Sequence, residues 1–186
     1  MKRSMMQTVF LLVFLLYPLC AGASVIQEKV YDICKYGAKG DGKTLNTNAI
    51  NSAIEYCAEN GGGTVLIPKG TFLSGTIYLK DNISLVLRKG AVLKGTADVS
   101  QYKSYTPLGN LSMFDSGGDG ENANSAIDPH WNRALILGVG VSNISIEGEG
   151  IIDGNHVFDS EGEENMRGPH TIIIAESRNI LMRGIT

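Results

Sequence analysis

The sequence predicts an all-β solenoid, in which short strands stack coil upon coil, and three observations predict it. The stretch 143–155, NISIEGEGIIDGN, alternates apolar Ile144 and Ile146 with Ser145 and Glu147, bends at Gly148 and Gly150, and resumes with Ile151 and Ile152. That pattern describes two short strands joined by a tight bend, one face of each buried. Looser copies lie upstream, from Asn82 through Gly90 to Gly95, and downstream, from Asn179 to Gly184. No crossover helices separate the strands. Strands this short cannot each bury a core alone, whereas stacking them buries a continuous one.

The chain begins with a segment outside that fold. Lys2 and Arg3 precede the apolar run Val9–Leu16, then Pro18 and the small-residue site Ala21-Gly22-Ala23. Together they form a secretory signal peptide over residues 1–23, with cleavage before Ser24. The apolar run is too short to span a bilayer. Lipid attachment at Cys20 is the alternative, disfavoured because Tyr17-Pro18-Leu19 lacks the small residues of bacterial lipoprotein signals. The expected destination is secreted or periplasmic.

Removing residues 1–23 takes away two basic residues and no acidic ones, so the formal charge moves from −3 to −5. No basic block marks a nucleic-acid or membrane-surface protein. Residues 24–186 have the length of one domain. They retain Cys34 and Cys57, and an oxidising compartment permits a bond contributing roughly 3 kcal/mol in the chain-entropy model. Two buried thiols are the alternative.

Between Val30 and Gly63 the chain reads as strand, glycine loop and helix. Ala49, Ile50, Ala53, Ile54 and Cys57 share one helical face, Asn46 or Thr47 can cap the start, and Asn60-Gly61 ends it. An amphipathic helix ahead of a run of strands is suited to cap the open end of a solenoid. The loop before it, residues 37–44, matches G-x-x-x-x-G-K-[ST], a phosphate-binding pattern. The alternating strands and helices of a nucleotide-binding sheet do not follow, so its glycines are read as a turn.

Beyond Gly63, strands are expected at 64–67, 72–74, 76–79, 83–87 and 91–93, punctuated by Pro68-Lys69-Gly70, Gly75, Asp81-Asn82 and Lys89-Gly90. A polar, glycine-rich insertion between Ser100 and Asn132 carries Asp115, Asp119, Glu121 and Asp128 and reads as a surface loop. It departs from a calcium loop, since Gly117 and Ala126 stand where oxygen ligands belong. His130, His156 and His170 lack zinc-ligand spacing, so no metal or cofactor is expected. Asn82 and Asn143 each open an Asn-Ile-Ser sequon, and their recurrence before a strand marks them as turn formers.

Three blocks carry a family resemblance: YGAKGDGKTLNTNAINSAIEYC, then GGGTVLIPKGTFLSGTIYLKDNISLVLRKGAVLKGT, then ALILGVGVSNISIEGEGIIDG. In this order they resemble the amino-terminal half of glycoside hydrolase family 28, the polygalacturonase-like pectin hydrolases. The likeness runs from about Val30 to Thr186, and its first block is shared with other β-helices. It implies a right-handed parallel β-helix acting on galacturonan or rhamnogalacturonan, and a monomer at full length. It also implies inverting hydrolysis by aspartates of Asn-Thr-Asp and Asp-Asp motifs, aided by Gly-His-Gly and Arg-Ile-Lys motifs. None of these motifs occurs in the sequence. The chain therefore reads as an amino-terminal part, expected to be inactive by itself, with its catalytic residues beyond Thr186. A noncatalytic polysaccharide-binding β-helix and a pectate or pectin lyase are the alternatives.

Asp153 is assigned to the fold-forming turn, accepting hydrogen bonds from nearby amides. Trp131, Arg167 and His170 are the substrate-binding candidates, able to meet an acidic sugar by stacking and charge pairing. Solvated loop positions are the competing reading. Negative net charge opposes long-range capture of a polyanion, although a local basic cleft is compatible with it.

Overall fold

A computed structural model describes residues 29–110, 132–163 and 167–186. Three parallel sheets, called A, B and C, wind into a right-handed parallel β-helix, each coil visiting A, then B, then C. The first coil has β1 (Val30–Asp32) in sheet A and β2 (Asp41–Leu45) in sheet B, and then helix α1 (Thr47–Glu59). The second is β3 (Gly63–Ile67), β4 (Gly70–Ser74) and β5 (Ile77–Tyr78). The third is β6 (Ile83–Leu87), β7 (Ala91–Gly95) and, after the short β8 (Lys103–Ser104), β9 (Arg133–Val139). The fourth is β10 (Ser142–Gly148), β11 (Ile151–Asp153), then β12 (Phe158–Glu163) outside the three sheets, and β13 (His170–Ala175). β14 (Arg178–Arg183) adds a last strand to sheet A.

Inward residues line up from coil to coil because the sheets are parallel and in register. Val65, Leu85 and Ile146 form one fully buried column in sheet A. Phe72 and Leu93 pair across sheet B and Ile77 and Ile136 across sheet C, again fully buried. This alternation was the sequence signal, and stacking gives it a continuous core.

Helix α1 buries Ile50, Ala53, Ile54 and Cys57, the expected face. It lies where the first coil would place a strand of sheet C, beside the edge strand β5. Asn51 then does the work of that missing strand: its amide donates to the Thr76 carbonyl at 3.0 Å and accepts from the Tyr78 N–H at 2.9 Å. The helix thus seals an edge. Asn46 stands at the N-cap but makes no capping hydrogen bond. Its buried amide instead accepts from the Lys39 N–H at 2.7 Å and donates to the carbonyls of Thr44 and Leu73. The phosphate-like loop is partly strand rather than a turn throughout, since β2 pairs with β4. Asp41 accepts from the backbone of Thr44 and Lys43 and from the Thr44 hydroxyl, which holds its carboxyl down at about 2.

Cys34 and Cys57 are both free, one exposed and one buried. The disulfide is absent, and so is the pair of buried thiols; Cys34 sits in the exposed turn that Asp32 caps.

An asparagine ladder runs along the corner between sheets C and A. Asn82, Asn143 and Asn179 adopt left-handed φ values of 60°, 57° and 56°. The Asn143 amide donates to Asn82 at 3.0 Å, and the Asn179 amide donates to Asn143 at 2.8 Å. The two Asn-Ile-Ser sites are turn formers, as expected. Asn143→Ala is expected to destabilise the protein by about 1–2 kcal/mol, because alanine resists left-handed backbone. Urea unfolding of Asn143→Gly, which loses the ladder bonds without that strain, should show a smaller loss. Equal losses in the two variants would show that the strain is not the dominant cost.

Candidate functional site

The three corners of the coil differ in what they carry. Corners from A to B are short in the second to fourth coils, at residues 68–69, 88–90 and 149–150. In the third and fourth coils the corners from B to C carry the long departures, residues 96–132 and 154–169. Loops held by a rigid scaffold are where binding groups concentrate. A cleft of about 630 Å³ opens at this corner, between the end of β11 and the start of β13. Asp153, Asn155, His156, Phe158, Arg167 and Thr171 are among the residues around it.

The floor of the cleft is set by an Asx turn. One Asp153 oxygen accepts from the Asn155 N–H at 2.7 Å, and the other lies 3.7 Å from the Lys94 ammonium of the coil below. This is the structural role expected for Asp153, and it also places the carboxylate in the cleft wall. Asn155 and His156 follow with positive φ values of 61° and 46°, a conformation open at low cost to asparagine and less common for histidine. Consecutive left-handed residues turn the chain out of the coil toward β12.

β12 is tied down at two points. Phe158 bridges Arg167 in antiparallel fashion, and both line the cleft. Arg133, the first residue of β9, reaches Asp159 at 3.1 Å, with the two side chains only 15% and 9% exposed. Asp159 also accepts the Glu161 N–H at 3.0 Å.

The described start of the third-coil departure, residues 96–110, packs back on the coils. Asp98 caps a 3-10 turn at Val99–Gln101, after which Tyr102 is buried and donates to the Thr96 carbonyl at 2.7 Å. Burial, together with the nearby Asp153 charge, pushes the Tyr102 phenol up to about 12. β8 pairs with β9, and Glu176 then clamps the segment by accepting the Leu108 and Gly109 N–H groups at 2.7 Å each. The reading of 100–132 as a surface loop agrees with its described part, in which residues 103–110 are exposed or half-buried, while Tyr102 is buried and Lys103–Ser104 pair with β9. Trp131, Asp115, Asp119, Glu121, Asp128 and His130 lie outside the described residues, as does the segment 1–23.

The structure separates the remaining sugar-binding candidates. Arg167 is exposed in the cleft wall, and His156 joins it there. His170 opens β13 in register with Ala134 and lies on the same side as Ile172 and Ile174, which pack against the core. It is half-buried and turned inward, whereas Thr171 faces the cleft. Sequence reasoning missed Lys94, Arg133 and Asp159. Among the described residues no group of three or more His, Cys, Asp or Glu side chains could hold a metal ion. None of their helices is long and apolar enough to cross a membrane.

Known proteins share this architecture. The chain is 39% identical over 128 residues to an exo-poly-α-D-galacturonosidase of Dickeya chrysanthemi, covering 68% of the chain and 20% of that protein. It is 32% identical over 123 residues to a probable polygalacturonase of Vitis vinifera, covering 64% of the chain and 23% of the relative. The chain thus spans about a fifth of the length of these relatives. Among solved structures, a family 28 exopolygalacturonase of Yersinia enterocolitica superposes with a TM-score of 0.64 at 24% identity, over 86% of this chain and 34% of that one. An exopolygalacturonase of Thermotoga maritima superposes with a TM-score of 0.60 at 21% identity, over 84% of this chain and 41% of that one. These two likenesses bear on the fold alone. The family model described as rhamnogalacturonase A/epimerase, pectate lyase-like matches residues 30–180. With nearly all of its β-helix inside that match, the chain belongs to the rhamnogalacturonase A/epimerase, pectate lyase-like family, in keeping with its resemblance to glycoside hydrolase family 28.

Proposed function

We propose that the whole protein hydrolyses glycosidic bonds of pectic polysaccharide, with this chain supplying the scaffold and one stretch of the sugar-binding cleft. The observation that carries the reading is the 39% identity with an exo-poly-α-D-galacturonosidase, which spans 68% of the chain. The cleft supports it: it sits at the corner that gathers the long loops, and it sets Arg167 where an acidic sugar would meet a planar, bidentate cation.

Inverting hydrolysis needs one carboxyl to protonate the leaving oxygen and another to activate water, roughly 6.5–9.5 Å apart. Among the described residues the cleft wall holds a single carboxylate, Asp153, already engaged with the Asn155 amide and facing Lys94. The acid and base are assigned to residues outside this chain, and the chain's own groups bind and orient the polymer. Export by residues 1–23 belongs to the same proposal, since pectic polymers are too large to enter a cell intact.

The test is to recover the full-length protein from culture medium, confirm a mature start at Ser24, and incubate it with polygalacturonate. Reducing ends released without an unsaturated, ultraviolet-absorbing product are the expected result. An ultraviolet-absorbing product would make the protein a lyase, and binding without bond cleavage would make it a noncatalytic module.

A further inference from the structure

We infer that Lys94 is a uronate-binding residue at the edge of the cleft, with its ammonium held in place by Asp153, an assignment that rests on the pectic reading above. Lys94 lies on the outer face of sheet B, because its neighbour Leu93 is fully buried and strand residues alternate. On that face it stands in one column with Leu73 below and Asp153 above. The column leads directly into the cleft wall.

The ion pair itself does not use up the lysine. Its 3.7 Å separation exceeds hydrogen-bond length, and the two side chains are 36% and 41% exposed. Exposed pairs of this kind contribute little to folding. Asp153 has one oxygen committed to the Asn155 amide, so the other is turned toward Lys94 and sets where the ammonium rests. An ammonium offers three donors and no acceptor, and is suited to a carboxylate oxygen rather than to a neutral sugar hydroxyl alone.

Charge at the cleft agrees. Lys94 stands at the edge of the cleft beside Asp153, and Arg167 stands in its wall. Asp159, on β12, is paired with Arg133. Cationic side chains at such an opening suit a polymer bearing one carboxylate per sugar. On the same outer face, Val92 and the exposed Ile151 offer apolar surface to the ring of a bound sugar.

The experiment compares the full-length protein with its Lys94→Gln and Lys94→Arg variants in native gels containing polygalacturonate or its fully methyl-esterified form. Unchanged melting temperatures would show that both variants fold. In polygalacturonate, wild type and Lys94→Arg should be retarded alike, and Lys94→Gln should show a dissociation constant about tenfold higher, the scale of one charged contact. In the methyl ester all three should behave alike. Undiminished retardation of Lys94→Gln, equal weakening in both gels, or no retardation of wild type by polygalacturonate would each overturn the assignment. Reducing-end release is measured on the same preparations. Lys94-dependent retardation without hydrolysis would sink the hydrolase reading and leave Lys94 as a uronate contact.

Discussion

Gly148→Ala is expected to lower stability by about 2–6 kcal/mol in urea unfolding. About 1–3 kcal/mol of this comes from a backbone conformation that side chains rarely adopt, and about 1–3 from forcing an atom into a packed interior. Gly148 has φ of 122° and stands in register with Leu87, so a new Cβ would be driven into the Leu87 carbonyl. Nothing there yields, since the obstacle is the backbone of the coil below. Gly61→Ala is the control: its φ is 88°, but no atom lies within 4 Å of the added carbon. It should pay only the backbone cost. If the two variants lose the same stability, coil-to-coil contact is not what fixes glycine at residue 148.

Removing one member of the Arg133–Asp159 pair should cost about 3–5 kcal/mol, the scale for leaving a buried charge without its partner. Both side chains are largely shielded, and their 3.1 Å contact joins β12 to the third coil. Arg133→Met leaves the Asp159 carboxylate enclosed, and Asp159→Leu leaves the guanidinium. The double variant, which buries neither charge, should recover most of either loss. A double-mutant cycle by thermal unfolding checks this, and additive losses would contradict it. Because β12 carries Phe158 and its bridge to Arg167, each single variant should also weaken retardation by polygalacturonate.

The solenoid was legible because its signal is local and repeated. Alternation at Ile144 and Ile146, and again at Ile83 and Leu85, fixes which side chains go inward, and parallel stacking does not change that assignment. Helix α1 was legible for the same reason, through the period of Ile50, Ala53, Ile54 and Cys57. Its cap was not, because the Asn46 amide is recruited by Lys39, Thr44 and Leu73, a competition invisible in a local window. Of the candidate site, Asp153 was read correctly as a turn residue, while Lys94 was passed over. Aligning the repeats would have found it, since VLKG and IIDG lie in register and set Lys94 beneath Asp153. No such alignment reveals Arg133 and Asp159, or Glu176 and the amides of Leu108 and Gly109, which meet only once the irregular loops are placed. His170 opens β13 on the side of Ile172 and Ile174, a placement that strand alternation sets.

The uneven corners also set the order in which coils can close. Thr64 meets Ser84 across a gap of 20 residues, whereas the equivalent rungs Asn82 and Asn143 are 61 residues apart, and Asn143 and Asn179 only 36. Closing the 61-residue loop rather than the 20-residue one costs about 1 kcal/mol more in chain entropy. The early seam of the folding chain is therefore the second coil meeting the third, with α1 close at hand in sequence. Residues 96–132 lengthen that loop and thereby place the main kinetic step between the third coil and the fourth.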